Sequence, residues 1–150
     1  LQQHWDLSLS WLPEKDNKVT YTLTYDKRGF IALKYSGFIS PPEAQESSVK
    51  AIEMAVKHAV KLYLADHSES VVVLPIEQVN NLMDKLADLT EVSRNAKLAT
   101  VLPAAGGQAR KDLESFITIA ANQGWIVAAF NTRQEAIDWL LDLTDGEASP

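Results

Sequence analysis

The stretch from Trp125 to Leu140 constrains this chain most. Trp125 to Phe130 is a short uncharged run, which reads as a buried strand. Asn131 or Thr132 can cap a helix, and Glu135 stands three residues after Thr132, the spacing of a capping box. Ala136, Ile137, Leu140 and Leu141 then recur at helical spacing. A buried strand, a sharp corner and a short amphipathic helix make half of a β-α-β winding, and the text before it repeats that grammar.

Val19 to Tyr25 alternates strictly, with Val19, Tyr21, Leu23 and Tyr25 on one side and three threonines on the other. That is a strand with one wet face. Asp26 to Gly29 is a turn, and Phe30 to Tyr35 is the return strand of an antiparallel hairpin. Ser40, Pro41 and Glu43 supply a cap, a first helical residue and a capping box. Val49, Ile52, Val56, Ala59 and Val60 carry the stripe of the helix that follows, which ends near His58. Val60 to Ala65 must be the next strand, followed by a polar loop from Asp66 to Ser70 and a Val71–Val73 run. Pro75 opens a second helix with Ile76, Val79, Leu82, Met83 and Leu86 inward. Lys97 to Leu102 is a strand and 103–107 a loop. Ala109, Leu113, Phe116, Ile117 and Ala120 mark a third helix, stopped by Gly124.

The order β-β-α-β-α-β-α-β-α predicts a single α/β domain. Its sheet is mostly parallel, with one leading antiparallel strand and right-handed crossovers. Its span is 19–143. Residues 1–18 form an N-terminal arm with Trp5 and Trp11 in a period-2 pattern, and 144–150 a loose acidic tail. Two tryptophans carry too much apolar area to stay exposed. The arm is therefore expected to cover the domain's own core or, alternatively, to pack on a second subunit.

Composition excludes several functions. There is no cysteine, so disulfides and thiolate metal ligands are ruled out. The net charge is −6, against the basic face that a general nucleic-acid binder needs. Residues 133–150 set Arg133 against five carboxylates, a net of −4, which leaves −2 for the rest. The longest uncharged run, Ser115 to Thr132, is broken at Asn122-Gln123-Gly124, so no integral membrane protein is expected. Leu1 to Leu12 lacks a basic start and carries Asp6, unlike a signal peptide, and a cytoplasmic location is expected.

Phe130, Glu135, Ala136, Trp139 and Leu140, in their spacing, resemble the C-terminal signature of the SpoIIAA-like proteins. These are small bacterial proteins with the STAS fold of the anti-sigma-factor antagonists, related in fold to CRAL-TRIO lipid-binding domains. Ile31 to Pro41, Leu62 to Ser68 and Ala99 to Pro103 resemble further segments of the same proteins in register. The resemblance spans roughly residues 19–143. It implies a simply wound sheet, strand after strand, with helices predominantly on one side. Such a sheet lacks the switch-point crevice where doubly wound sheets bind ligands, and one of its faces is short of cover, which would employ the Trp arm. The antagonists are switched by a phosphoserine at the start of the helix after the third strand. Here the corresponding positions hold Pro75 and Ile76, so the resemblance brings the fold without the switch.

Two polar segments are candidate ligand or partner loops. Asp66, His67, Ser68 and Ser70 lie at the end of a predicted parallel strand. As near neighbours in sequence they cannot converge as nucleophile, base and orienter, nor do they have metal-ligand spacing. Asp66 and Ser68 are expected to bond backbone amides of their own loop. Gly106, Gly107 and Arg110 enter a helix and could hold an anion, although neither phosphate-loop glycine pattern is present. No catalytic residue, metal ligand or cofactor is expected. The reading is a non-catalytic interaction or regulatory domain, with a protein partner or homodimer contact through the sheet or the Trp5/Trp11 arm. The alternative is a domain that binds a lipid or other apolar ligand, or a membrane surface.

Overall fold

The computed structural model describes residues 20–72, 77, 80–81 and 95–142. The Trp arm, the acidic tail and most of the helix expected after Pro75 lie outside these residues. Of that helix Glu77, Asn80 and Asn81 are described, and they are helical.

A hairpin opens the sheet. β1 (Tyr21–Asp26) and β2 (Phe30–Ile39) are antiparallel, with Tyr21 opposite Tyr35 and Asp26 opposite Phe30. Gly29 closes the turn at φ 108°, a conformation that strongly favours glycine, and its N–H donates to the Asp26 carbonyl. α1 (Pro41–His58) follows, then β3 (Leu62–Val72), β4 (Lys97–Val101), α2 (Gln108–Asn122), β5 (Ile126–Phe130) and α3 (Arg133–Leu140). The five strands lie in the order β1-β2-β3-β4-β5, every pair after the first being parallel. This is the simply wound α/β sheet that the sequence predicts.

α1 starts as expected. The Ser40 hydroxyl accepts from the Glu43 N–H, and Glu43 Oε1 accepts from the Ser40 N–H at 2.9 Å. The same carboxylate accepts from Thr20 Oγ1 at 2.8 Å, which ties the helix start to the entry of β1. Its buried stripe differs from the predicted one. Ala44, Ser47, Ala51, Ile52 and Ala55 face the sheet, whereas Val56 is 54% exposed. Small residues won this face because they let α1 lie close on β2; counting only large aliphatics rotated the stripe. α3 is capped by Thr132, whose Oγ1 accepts from the Glu135 N–H at 3.2 Å.

The sheet has two packed faces. On one, Ile31, Leu33, Tyr35, Tyr63 and Ala65 meet α1 and α2. On the other, Phe30, Ala32, Leu64, Ala99 and Val101 meet Ala136, Ile137 and Leu140 of α3. Two of the three described helices thus share a face and α3 takes the opposite one. Fully burying a side chain such as Phe30 or Leu64 contributes about 1.5–3 kcal/mol. Trp139 closes the second core against Phe130, ring centroids 5.6 Å apart, with the Lys97 ammonium 4.5 Å from its ring.

Candidate functional site

Asp66 to Ser70 is strand, not loop. β3 runs unbroken from Leu62 to Val72, and β2 continues through Gly37 to Ile39 to pair with it. Lys34 is opposite Asp66 but Ser36 is opposite Glu69, so β3 carries one extra residue here, a bulge. The polar run Asp66-His-Ser-Glu-Ser70 has the composition of a loop. It forms a strand because β2 supplies its backbone partners and because its buried side chains satisfy one another.

Strand alternation sends Asp66 and His67 to opposite faces, and the bulge brings Ser70 round to the face of His67. Asp66, only 2% exposed, faces α3. Its Oδ1 accepts from the Ser68 N–H at 3.0 Å and the Ser68 hydroxyl at 2.6 Å, and its Oδ2 from Arg133 Nη1 at 3.1 Å. Burial raises the Asp66 pKa, but the hydrogen bonds from Ser68 and Arg133 outweigh it and the carboxyl is held below its ordinary value. The expected bond from Asp66 to the Ser68 amide is present. Arg133, 67 residues away, was invisible as its partner, since only the fold brings the start of α3 over the middle of β3.

His67 faces the other way, into the core under α1 and α2. Its ring lies flat on Tyr35, and its Nδ1 is 3.2 Å from Ser70 Oγ. Tyr35 in turn donates to Ser47 at 2.6 Å, because the Ser47 hydroxyl proton is given to the Ala44 carbonyl. Burial pushes the His67 pKa down to about 4, against an opposing pull from Asp66, so the imidazole is neutral at pH 7. The histidine pairs with Ser70 on one face while Asp66 holds Ser68 on the other. The four residues form two separate hydrogen-bonded sets.

The second candidate loop is engaged internally. Gly107 is the N-cap of α2 at φ 81°, without a side-chain cap, and Gly106 precedes it at φ 75°. Arg110 donates to the Pro103 carbonyl at 3.2 Å and to Asn131 Oδ1 at 3.0 Å, and its Nε is 3.8 Å from Glu114. The guanidinium ties the loop after β4 to the corner after β5, so it does not stand free for an anion as the sequence allowed. Among the described residues, no group of three or more His, Asp or Glu could hold a metal ion. Trp5 and Trp11 lie outside the described residues.

Two features escaped the sequence reading. Phe38, beyond the Tyr35 at which the return strand was expected to end, sits on the extended end of β2 directly opposite Val71 of β3. The two are 62% and 51% exposed. The second is a cavity of about 80 Å³ over β3, between α1 and α2. A signal for the first existed in Phe38-Ile39, two strand-forming residues beyond Gly37; the cavity had none.

No protein-family model matches the chain, and no curated protein matches it. Among solved structures, it is similar to an uncharacterised protein of the DUF3478 family with a SpoIIAA-like fold from Shewanella loihica. The TM-score is 0.50 and the identity 17%, over 80% of this chain and 91% of that one. It is also similar to the anti-sigma factor antagonist SpoIIAA in its unphosphorylated form, with TM-score 0.47, 16% identity and coverage of 79% and 94%. The phosphorylated Bacillus cell fate determinant SpoIIAA gives TM-score 0.46 and 16% identity over 79% and 96%. The likeness to the Shewanella protein gives the chain the SpoIIAA-like fold that its sequence resembles.

Proposed function

We propose that the chain is a non-catalytic, cytoplasmic regulatory domain that acts through protein–protein contacts, with its docking face at the projecting end of the β2–β3 ribbon. One observation carries this reading: Phe38 and Val71 stand side by side on paired strands and are more than half exposed. Burying such side chains in a contact stabilises it by about 1.5–3 kcal/mol each when complete. The strands fix them in place, so little ordering cost opposes binding. Lys34 and Glu69, whose side chains pair at 3.3 Å, lie two to four residues behind them along the same face. An apolar centre with a charged rim is how interfaces are built.

The patch is self-complementary. A twofold axis through it would set Phe38 and Val71 against their own copies, and Lys34 of one protomer against Glu69 of the other. The partner that fits is thus a second copy of the chain. The reading includes no phosphoserine switch, because Pro75 and Ile76 stand where the antagonists' serines would fall. Light scattering tests it: the wild type should have a dimer's mass and Phe38→Asp a monomer's, with unchanged circular dichroism. A wild type that stays monomeric at every concentration would remove the second copy as partner.

A further inference from the structure

We propose that the cavity over β3 is a binding site for a compact, neutral carbonyl compound, whose oxygen accepts a hydrogen bond from the Tyr63 hydroxyl.

The cavity follows from where large and small residues fall. β3 is the middle strand, and its inner face presents Tyr63, Ala65 and His67. α1 packs over β1 and β2, while α2 packs over β5 and β3. Between the helices the floor is Ala65, and α1 turns Ala44, Ser48, Ala51 and Ile52 toward it, the first three too small to close the gap.

Tyr63 lines this space, is 4% exposed, and its hydroxyl has no hydrogen-bond partner among the described residues. A buried hydroxyl without a partner is costly, and native structures rarely retain one without a reason. The other hydroxyls among the described lining residues are already used. The Ser48 hydroxyl goes to the Ala44 carbonyl, Tyr35 bonds to Ser47, and His67 Nδ1 faces Ser70. A water held well in a cavity needs about two to four polar partners, and the described lining is mainly aliphatic and aromatic. A ligand with one acceptor and an apolar body fits it better.

Three further properties narrow the class. Burial pushes the Tyr63 pKa up to about 12, so the group is a donor throughout the physiological range. No lysine or arginine is among the described lining residues, so none of these would offer a carboxylate or phosphate a counter-charge. An apolar cavity of about 150 Å³ takes benzene, so about 80 Å³ seats roughly three or four non-hydrogen atoms and excludes a long acyl chain.

Acetone and its hydrocarbon isostere 2-methylpropene test the assignment by amide chemical-shift titration of the full chain. In the wild type, acetone should shift the amides of Ala65, Leu98 and Leu113. Tyr63→Phe keeps the ring and removes the donor. It should weaken acetone about tenfold, the worth of one net hydrogen bond, while leaving 2-methylpropene within about twofold. No acetone shift at these amides, or equal acetone affinity in both proteins, overturns the proposal. If the variant loses both probes because the cavity has closed, the wild type decides. Acetone shifts that 2-methylpropene displaces at these amides support the site, and acetone shifts indifferent to it overturn it.

Discussion

The imidazole of His67 lies flat against the ring of Tyr35, centroids 4.4 Å apart and planes 7° apart. The stack occupies the one place where β2 and β3 fall out of step, between the Lys34–Asp66 and Ser36–Glu69 pairs. A flat ring on each strand fills the space that the extra residue opens. Because His67 is buried and neutral, its pKa falls from the ordinary 6.5 to about 4. Between those values the unfolded chain binds the proton and the folded chain does not, so stability rises with pH. Lowering the pH from 7 to 4 should remove about 3 kcal/mol on this account alone. His67→Phe keeps the stack but cannot titrate. Urea unfolding should show the wild type losing that much more than the variant over the interval; parallel pH profiles would contradict it.

Asp66 links the same strand to the other face. Arg133→Ala removes one bond from a buried carboxylate but leaves both Ser68 contacts, and Arg133 is itself half-exposed. A loss of about 1–2 kcal/mol is expected. Asp66→Ala strands the Ser68 hydroxyl and the guanidinium as well, and should cost about 2–4 kcal/mol. The Asp66 carboxyl has a lowered folded pKa, so its contribution is present above the unfolded value near 3.8 and is lost as pH falls through the folded one. Denaturant midpoints of the two variants at pH 7 check the order.

The sequence was most legible where local chemistry decides alone. The Ser40–Glu43 and Thr132–Glu135 caps and the Tyr/Thr alternation of β1 each state their structure within a few residues. The apolar run of β5 states a strand, but not the buried one expected: it is an edge strand, with Ile126 45% exposed. It was least legible where a partner distant in sequence decides. Residues 66–72 become strand only because β2 overruns Gly37, and Asp66 becomes a structural anchor only because Arg133 arrives from α3. The candidate positions were legible as a polar cluster. Their division between two faces was not, because a polar run reads as loop, and a one-residue bulge, which puts Ser70 with His67, leaves no mark in composition. The return strand was expected to end at Tyr35, Gly37 reading as a break, but β2 continues through Phe38 to Ile39.

Ala59 ends α1 in the left-handed conformation, at φ 56° and ψ 45°, with its N–H donating to the Ala55 and Val56 carbonyls. That conformation costs an L-residue roughly 1–2 kcal/mol, and glycine adopts it freely. Ala59 is exposed, so nothing is lost from the core. Ala59→Gly should therefore stabilise the domain by about 1 kcal/mol in thermal or urea unfolding, after allowing for the glycine's greater freedom in the unfolded chain. A destabilised variant would contradict the assigned helix end.

The central claim is that the Phe38–Val71 face is a docking surface for a second copy of the chain. It is tested most directly by replacing Phe38 with photoreactive benzoylphenylalanine and irradiating the full-length protein, with Glu53 on the exposed side of α1 as the control position. The account predicts a single adduct of twice the chain mass from position 38, abolished by Val71→Asp and absent from position 53. No adduct at position 38, or the same adduct from both positions, would contradict it.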